Sequence, residues 1–277
     1  MTVRIGLLMP HYSARSSSYW PLVARALTEA GAVVDVVHPP RGAVELATLK
    51  VDHDLYVLRK LSGFALSLAG ALHELGAAIL NPYSASAALR DKIVGSRVLQ
   101  EAGIPIPATY VASDADELLP HLEEGPLIVK PYLGAGGHHI HVVRTAVELA
   151  AVPVNKREPV FAQRYHPPHG RDRKIYAIGA DLFGVKKIFP RRTDADKLGE
   201  PFHVGAELAD IARRCGRAFG VDLYGVDIIE SGGRPYVVDV ASVPGYKGVP
   251  DAPARLARHI LAAAERARRG EALAAAS

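Results

Sequence analysis

Two aspartates in the C-terminal third of the chain interrupt segments that are otherwise apolar. Asp227 lies in YGVDIIE and Asp239 in PYVVDVA, with Gly232 and Gly233 between the two segments. A carboxylate on the buried face of a strand is costly unless a cation balances it. If residues 232–234 form a three-residue hairpin loop, Asp227 faces Asp239 and the pair can share Mg²⁺. A two-residue turn would place them on opposite faces, and two solvated aspartates on an edge hairpin are the alternative.

A lysine followed by a glycine-rich loop forms a second group of interest. PLIVKPYLGAGGHH places Lys130 at the end of an apolar strand. Backbone N–H groups of such a loop can approach phosphate oxygens because no Cβ obstructs them, and the lysine adds positive charge. A Walker loop differs, since its Gly-Lys-Ser/Thr opens a helix. The segment predicts a nucleotide triphosphate site, with a surface hairpin and a solvated lysine as the alternative. Its residues are Lys130, Gly134, Ala135, Gly136 and Gly137.

Basic residues are concentrated in one stretch. From Arg164 to Arg192 the chain has eight Lys or Arg and two Asp, a local charge of +6 against +4 for the whole chain. Cations beside a triphosphate can stabilise charge on a transferred phosphoryl group. Neighbouring side chains on a strand point to opposite faces, so only one of Arg173 and Lys174 can face the site. We assign Lys174 to the site and expect Arg173 to be exposed.

The composition argues against several other classes of protein. The 277 residues are 49% hydrophobic, include one cysteine and have a mean hydropathy of +0.08, as in globular proteins without internal disulfides. No segment resembles a secretory signal, and no apolar run reaches the ~18 residues of a membrane span. Nucleic-acid-binding motifs are also missing. We expect a cytoplasmic protein with no membrane or nucleic-acid partner, and a homo-oligomer is compatible with the sequence.

Three successive stretches of the chain must position these groups. Residues 1–82 alternate strand and helix patterns, which predicts a small parallel sheet covered by helices. Residues 83–165 predict a linker helix from about Ser84 to Glu101, followed by a small mixed lobe that binds ATP. Residues 166–277 predict a C-terminal lobe with the metal site and a helix at about Ala206 to Phe219. The expected fold class is therefore α/β, built from α+β lobes.

In this order, the motifs resemble those of the ATP-grasp superfamily, and within it the RimK-like carboxylate–amine ligases. The resemblance covers about Asn81 to Gly248. It implies an ATP-grasp fold behind an N-terminal parallel-sheet lobe, with ATP and Mg²⁺ as cofactors. It also implies that a small acid or amino acid is activated as an acyl phosphate and then joined to an amine.

The resemblance assigns roles to individual residues. Lys92 belongs to the Asp-Lys pair that precedes GIPIP and is implied to be the first ATP-phosphate lysine, with Lys130 the second. FAQRY resembles the strand that ends at the adenine pocket, and GVDIIE with VVDVASVPGYKG resembles the metal-binding hairpin. The implied nucleotide ligands from these segments, together with the assigned lysine of the basic stretch, are Lys92, Gln163, Arg164, Tyr165 and Lys174. The implied metal ligands are Asp227 and Asp239.

Two positions depart from the family pattern. Arg164 stands where the family commonly has Glu, which implies a nucleotide pocket whose polar contacts come mainly from the backbone. Ala241 stands where the hairpin usually has Asn, and an alanine cannot ligate a cation. A second Mg²⁺ is therefore expected to be weaker, absent, or held by the two aspartates, phosphates and water alone.

The acceptor is expected against the first lobe, because ligands of open α/β sheets bind beyond the carboxyl ends of the strands. Residues that follow the first and third strands are candidates to bind a small, anionic acceptor. With a further basic residue, they are His11, Tyr12, Ser13, Arg59, Lys60 and Arg191. Arg192 is a candidate catalytic cation beside Lys174.

Two other functions remain open at this point. RDRKIYAIG with VVDVASVPGYKGVP also resembles inositol-polyphosphate kinases of the same superfamily. A kinase would phosphorylate a hydroxyl group and would use a general base, for which His166 or His169 is available. Because of Ala241, a nucleotide-binding protein with weak or no turnover is the third alternative.

Overall fold

The strands form three sheets that occupy successive stretches of the chain. The computed structural model describes residues 2–10, 12, 16–37, 44–59, 63–134, 139–155, 157–187, 198–271 and 273. Within these ranges, no helix is long and apolar enough to cross a membrane.

The first sheet is parallel, as the alternation of strand and helix patterns predicts. Its spatial order is β2-β1-β3-β4. Its strands are β1 (Arg4–Leu8), β2 (Val33–Val37), β3 (Leu55–Leu58) and β4 (Ile79–Leu80). Helices α1 (Trp20–Glu29) and α2 (Gly63–Glu74) follow β1 and β3. Leu7 and Val57 share a core with α1, whereas Leu8 and Leu58 pack with α2, so the alternating side chains of the strands fill both faces.

The linker contains two helices, so the expected single helix over residues 84–101 is wrong. They are α3 (Tyr83–Arg90) and α4 (Lys92–Glu101), separated by Asp91. Asp91 has an extended backbone, and its carboxylate accepts hydrogen bonds from the N–H groups of Ile93 and Val94. A side chain that caps the first orphan N–H groups begins a new helix. The break places Lys92 in the first turn of α4.

The second sheet is antiparallel, with the order β5-β8-β6-β7. Its strands are β5 (Thr109–Ala112), β6 (Leu127–Lys130), β7 (His141–Val143) and β8 (Val160–Arg164). Two short helices, α5 (Leu119–Glu123) and α6 (Ala146–Ala150), pack on the sheet and enclose a core that includes Leu127 and Leu149.

The third sheet is also antiparallel, with the order β11-β10-β9-β12-β13. Its strands are β9 (Asp172–Ile178), β10 (Asp181–Lys187), β11 (Glu200–Phe202), β12 (Leu223–Ser231) and β13 (Arg234–Ser242). The predicted helix α7 (Ala206–Phe219) covers one face, where Val226 and Ile228 pack against it together with α3 and α4.

The last helix, α8 (Ala252–Arg268), returns to the first sheet. Ile260 of α8 shares a core with Val23 of α1 and Val57 of β3. A helix near the C-terminus therefore completes the hydrophobic core that the N-terminal strands and helix form. The expected division at residues 82/83 and 165/166 stays a prediction.

Asn81 ties the end of the first sheet to the third sheet. Its side chain is fully buried, and its Oδ1 accepts hydrogen bonds from the backbone N–H groups of Asp222 (3.2 Å) and Leu223 (3.1 Å). Its Nδ2 donates to the carbonyl of Leu223 (2.7 Å) and to Ser242 Oγ (3.0 Å). One amide thus anchors the start of β12 and the end of β13.

We predict that Asn81→Ala destabilises the protein by about 3 kcal/mol, because it leaves buried backbone N–H groups without their acceptor. Urea unfolding would measure the loss. Asn155→Ala is the matched control: it also removes an amide that accepts from a backbone N–H, but at an exposed position. An Asn81→Ala protein within about 1 kcal/mol of Asn155→Ala would contradict the anchoring role.

Candidate functional site

The hairpin of β12 and β13 brings the two aspartates together, although not through the loop expected from the sequence. The turn has two residues, Gly232 and Gly233, with φ of +57° and +74°, as a type I′ turn requires. The predicted three-residue loop is therefore wrong. Asp227 nevertheless pairs with Asp239, because Val238 is an extra residue on β13 that forms a β-bulge beside this pair.

Lys174 of β9 neutralises Asp227 across the sheet. The two residues are cross-strand partners, and Lys174 Nζ lies 2.7 Å and 2.8 Å from the two carboxylate oxygens. Burial alone would lower the pKa of Lys174, but Asp227, with smaller contributions from Tyr176 and Asp239, outweighs burial, so that the pKa is raised. The ammonium is therefore held in its charged form in a nearly buried position.

Arg173 points to the opposite face from Lys174, as strand alternation predicts. Its guanidinium pairs with Glu230, and 24% of its side chain is exposed, so the expectation of an exposed residue is wrong. The guanidinium also lies 5.7 Å from the centre of the Phe202 ring, which covers part of it.

Lys130, at the end of β6, crosses from the second sheet to the third. Only 9% of the residue is exposed, and its Nζ donates a hydrogen bond to the carbonyl of Val238, 2.9 Å away, in the bulge. The pKa of Lys130 is lowered to about 8, mainly by burial and to a smaller extent by Lys92, although Asp239 and Asp227 act in the opposite direction. The site thus holds a buried ammonium that loses its proton more easily than an ordinary lysine.

The pKa of Asp239 is shifted in the opposite direction, upward. Burial raises its pKa, Asp227 raises it further, and the three lysines 92, 130 and 174 do not offset these effects. An additional cation would stabilise the ionised form of this carboxyl group, and a hard metal ion would meet this need. Within the described ranges, no group of three or more His, Cys, Asp or Glu side chains could hold a metal ion. A metal between the two aspartates would therefore complete its coordination with ligand oxygens and water.

Lys92 connects α4 to the start of the glycine-rich loop. Its backbone N–H donates to the carbonyl of Tyr132 (2.9 Å), and its Nζ donates to the carbonyl of Gly134 (2.5 Å). Gly134 has φ of +108°, which favours glycine at this position. The structure thus brings Lys92 to Lys130 and Gly134, whereas Ala135, Gly136 and Gly137 lie outside the described residues.

A small cleft lies between α4, β6, β8 and β13. Its walls are mainly apolar and include Leu99, Phe161 and Val237, with Lys130 and Asp239 also in the lining. Gln163, an implied nucleotide ligand, lines the cleft; it is buried, and its Nε2 donates to Thr109 Oγ1 at 3.1 Å. The cleft therefore combines an apolar surface with the charged groups of the hairpin.

Arg164 does not turn its side chain into this cleft. Its guanidinium binds Glu124 (2.9 Å) and the carbonyls of His121 and Gly125, beside the ring of Tyr110. The backbone N–H groups of residues 164 and 165 donate to carbonyls of residues 108 and 126. The N–H groups expected to contact a nucleotide here are thus already paired, because β8 is a central strand.

Of the expected acceptor residues, the structure describes Tyr12 and Arg59. Tyr12 packs against the core of the first sheet, and the Arg59 guanidinium lies 5.7 Å from the centre of the buried Trp20 ring. Both lie near the carboxyl edge of the first sheet. The other candidates lie outside the described residues: His11, Ser13, Lys60, Arg191 and Arg192.

Sequence reasoning missed Lys247, which the loop after β13 brings close to the first sheet. Its Nζ lies 4.0 Å from the centre of the ring of Tyr19, the neighbour of Trp20. Tyr246, the preceding residue, is buried and has a left-handed φ of +53°. No local pattern in GYKG reveals this contact, because it depends on how the third sheet packs on the first.

Lys187 was also missed as a site residue. It is 3% exposed, and its Nζ donates to the hydroxyl of Tyr176, 2.7 Å away. The Tyr176 ring in turn lies 5.7 Å from Lys174 Nζ. The sequence contained a signal for this position. The turn after Ile178 pairs Lys174 with Val185, and Lys187, two residues after Val185, therefore lies on the same face of the sheet as Lys174.

Several known proteins are similar to this chain. The family model for the RimK-like ATP-grasp domain matches residues 89–263. The glutamate–LysW ligase ArgX of Sulfurisphaera tokodaii is 26% identical over 82% of this chain and 86% of its own length. The ribosomal protein bS6–L-glutamate ligase of Escherichia fergusonii is 27% identical over 77% of both chains. The structure of the ATP-grasp ligase PsnB with minimal precursor, Mg and ADP has a TM-score of 0.68 and 19% identity, covering 94% of this chain and 96% of PsnB, which shows a shared fold.

We predict that the Lys130 amine titrates near pH 8, so that the site loses positive charge as the pH rises through this value. Asp239→Asn should lower this pKa further, because Asp239 favours the ammonium form. NMR titration of protein labelled at lysine side-chain carbons would measure both values, with Lys130→Arg to assign the resonance. A Lys130 pKa above 10, or an increase in Asp239→Asn, would contradict the described electrostatics.

Proposed function

Since this chain belongs to the RimK-like ATP-grasp family and is an ATP-dependent carboxylate–amine ligase, we propose that it activates a small acid or amino acid as an acyl phosphate. The activated acid is then joined to an amine. The observation that carries this proposal is the Asp227–Asp239 pair, which lies beside Lys174 and close to Lys130. Opposed carboxylates among lysines suit a metal-bound triphosphate better than any uncharged ligand.

We propose that the nucleotide base occupies the apolar cleft, beside Phe161 and Gln163. The phosphates would then extend toward Lys130, Lys92 and the glycine-rich loop that begins at Gly134. Lys130 has three N–H donors, and the carbonyl of Val238 takes one, so two remain for phosphate oxygens. The charged residues lie at the hairpin end of the cleft, which supports this orientation of the nucleotide.

Asp227 and Asp239 would hold Mg²⁺ bound to the phosphates. PsnB, which shares the fold, is known with Mg and ADP bound. Mg²⁺ supplies positive charge that neutralises the phosphate oxygens during transfer. Lys174, which contacts Asp227, would contribute positive charge beside the transferred phosphoryl group.

The two steps of the reaction need little covalent chemistry from the protein. In the first, an acid oxygen attacks the γ-phosphorus, the bond to the β–γ bridging oxygen breaks, and ADP leaves. In the second, the amine nitrogen attacks the acyl carbon, phosphate leaves, and the nitrogen gives up a proton. An ionised carboxylate needs no general base, so Lys130 and Lys174 act by position and charge.

The acid would lie near the carboxyl edge of the first sheet, where Arg59 and Lys247 approach neighbouring aromatic rings. A planar guanidinium can bind a carboxylate with two parallel hydrogen bonds, which supports an anionic acceptor. The named relatives use glutamate, and one of them acts on a ribosomal protein. The amine substrate can therefore be a small molecule or a protein group.

The kinase alternative is less well supported, because the relatives named above are ligases. His166, suggested as a base for a hydroxyl acceptor, is stacked on Tyr236 with ring centres 4.1 Å apart. Burial, and to a smaller extent Arg164, lowers its pKa. The contacts of His166 thus place it against the distal part of the hairpin.

We predict that ADP is released from ATP when an acid substrate is supplied, and that hydroxylamine then converts the activated acid to a hydroxamate. A panel of amino acids and dicarboxylic acids would be assayed with coupled ADP detection and mass spectrometry. Lys174→Met is expected to reduce turnover about a hundredfold or more, because charge on the phosphoryl group loses its counterion. Turnover of a hydroxyl acceptor to a stable phosphate ester, without hydroxamate, would support the kinase instead.

We predict that Ala241→Asn strengthens the binding of a second metal ion in the presence of a non-hydrolysable ATP analogue. Ala241 lies two residues after Asp239 on β13 and so faces the same side. An asparagine there adds an oxygen ligand. Mn²⁺ stoichiometry followed by electron paramagnetic resonance would measure the change. Unchanged Mn²⁺ binding in this variant would show that residue 241 lies outside the metal site.

A further inference from the structure

The bulge in β13 makes a hydrogen bond with Lys130 that plays no part in pairing Asp227 with Asp239. Across a two-residue turn, a strand without Val238 would still pair Asp227 with Asp239 and Ile228 with Val237. The bulge thus accommodates Val238 within a register that a chain lacking this residue would reach without a bulge. The Val238 carbonyl accepts the Lys130 hydrogen bond, at 2.9 Å. The insertion adds an acceptor at the place where a buried ammonium needs one.

The neighbouring residue strengthens this junction. The backbone N–H of Val237 donates to the carbonyl of Pro105, 2.8 Å away, in the segment that leads from α4 to β5. Because β13 is the edge strand of the third sheet and contains a bulge, some of its backbone groups lie outside the ladder, where they can bind other segments. Here these groups face two elements that precede the third sheet: the linker segment and the end of β6.

We propose that the bulge at Val238 is a positioning element for Lys130, and that its carbonyl holds the ammonium at the site of the nucleotide phosphates. The proposal rests on the phosphate-binding function proposed for Lys130. Lys130 has a long, flexible side chain, and fixing its end in advance reduces the entropy that nucleotide binding must remove. A main-chain carbonyl suits this task, because the strand holds it rigidly and it bears no charge that would repel phosphate.

A double-mutant cycle tests the proposal. Deletion of Val238 removes the carbonyl but keeps the pairing of the aspartates, and Lys130→Met removes the ammonium. We expect the deletion to weaken binding of a non-hydrolysable ATP analogue about tenfold in the wild-type background, as for the loss of a charged hydrogen bond. In the Lys130→Met background it should weaken binding less than about twofold, because the carbonyl acts through Lys130. Isothermal titration calorimetry with Mg²⁺ present gives all four affinities.

The control changes the same hairpin at its exposed tip. Insertion of one glycine between Gly232 and Gly233 lengthens the turn without touching the bulge, and should leave the affinity unchanged. Should the deletion variant fail to fold by circular dichroism, an ester in place of the amide after Val238 weakens the same carbonyl as an acceptor without shortening the strand.

The outcomes are distinct. Equal losses in both backgrounds, or no loss in either, would overturn the positioning role of the bulge. A Lys130→Met variant with undiminished nucleotide affinity would instead refute the phosphate-binding function of Lys130.

Discussion

The balance of buried charge at the β12–β13 hairpin is the constraint on which the rest of the structure depends. Asp227, Asp239, Lys130 and Lys174 are all partly or nearly fully withdrawn from water, and each would be costly to bury alone. The perturbed pKa values of Asp239 and Lys130 indicate that the balance is incomplete. Burial and Asp227 raise the pKa of Asp239, while burial and Lys92 lower that of Lys130. A bound phosphate would supply negative charge near Lys130, and a metal ion bound with it would supply positive charge near Asp239.

Each of these side chains comes from a different strand, so the site exists only while the strands keep their positions. Antiparallel pairing sets Lys174 opposite Asp227, and the bulge sets Lys130 against β13. Asn81 holds the starting point of β12 and the end of β13 through its buried amide. Apolar cores pack on both faces of the third sheet. The stability they provide offsets the cost of burying the charged residues of the site.

The proposed acceptor side of the site depends on the C-terminal part of the chain packing against the first sheet. Helix α8 packs against α1, and the loop that precedes it brings Lys247 to Tyr19. Val243, Tyr246 and Asp251 in this loop have positive φ values, which are uncommon for residues with a Cβ. Such strain persists only when the surrounding packing determines the backbone, and it is frequent where a loop serves a binding site.

Much of the fold was determined by local sequence pattern. Alternating strand and helix patterns predicted the parallel first sheet, the residue order of the motifs predicted the ATP-grasp fold, and both are confirmed. Strand alternation also predicted that only one of Arg173 and Lys174 faces the site, and Lys174, the residue assigned to it, contacts Asp227. The strand and helix patterns and the alternation of faces depend on periods of two or 3.6 residues, which a sequence displays directly. The ATP-grasp fold was implied instead by the resemblance of the motifs to a known family.

Other features were decided only by tertiary structure. A capping aspartate divided the linker helix at Asp91, and an unforeseen bulge accompanied the two-residue turn. Arg164 turned to Glu124, and Lys247 reached a residue more than two hundred positions earlier. The sequence determined which chemical groups are present and which face of a strand each prefers. Their partners depended on contacts between distant segments, whose energies no local pattern contains.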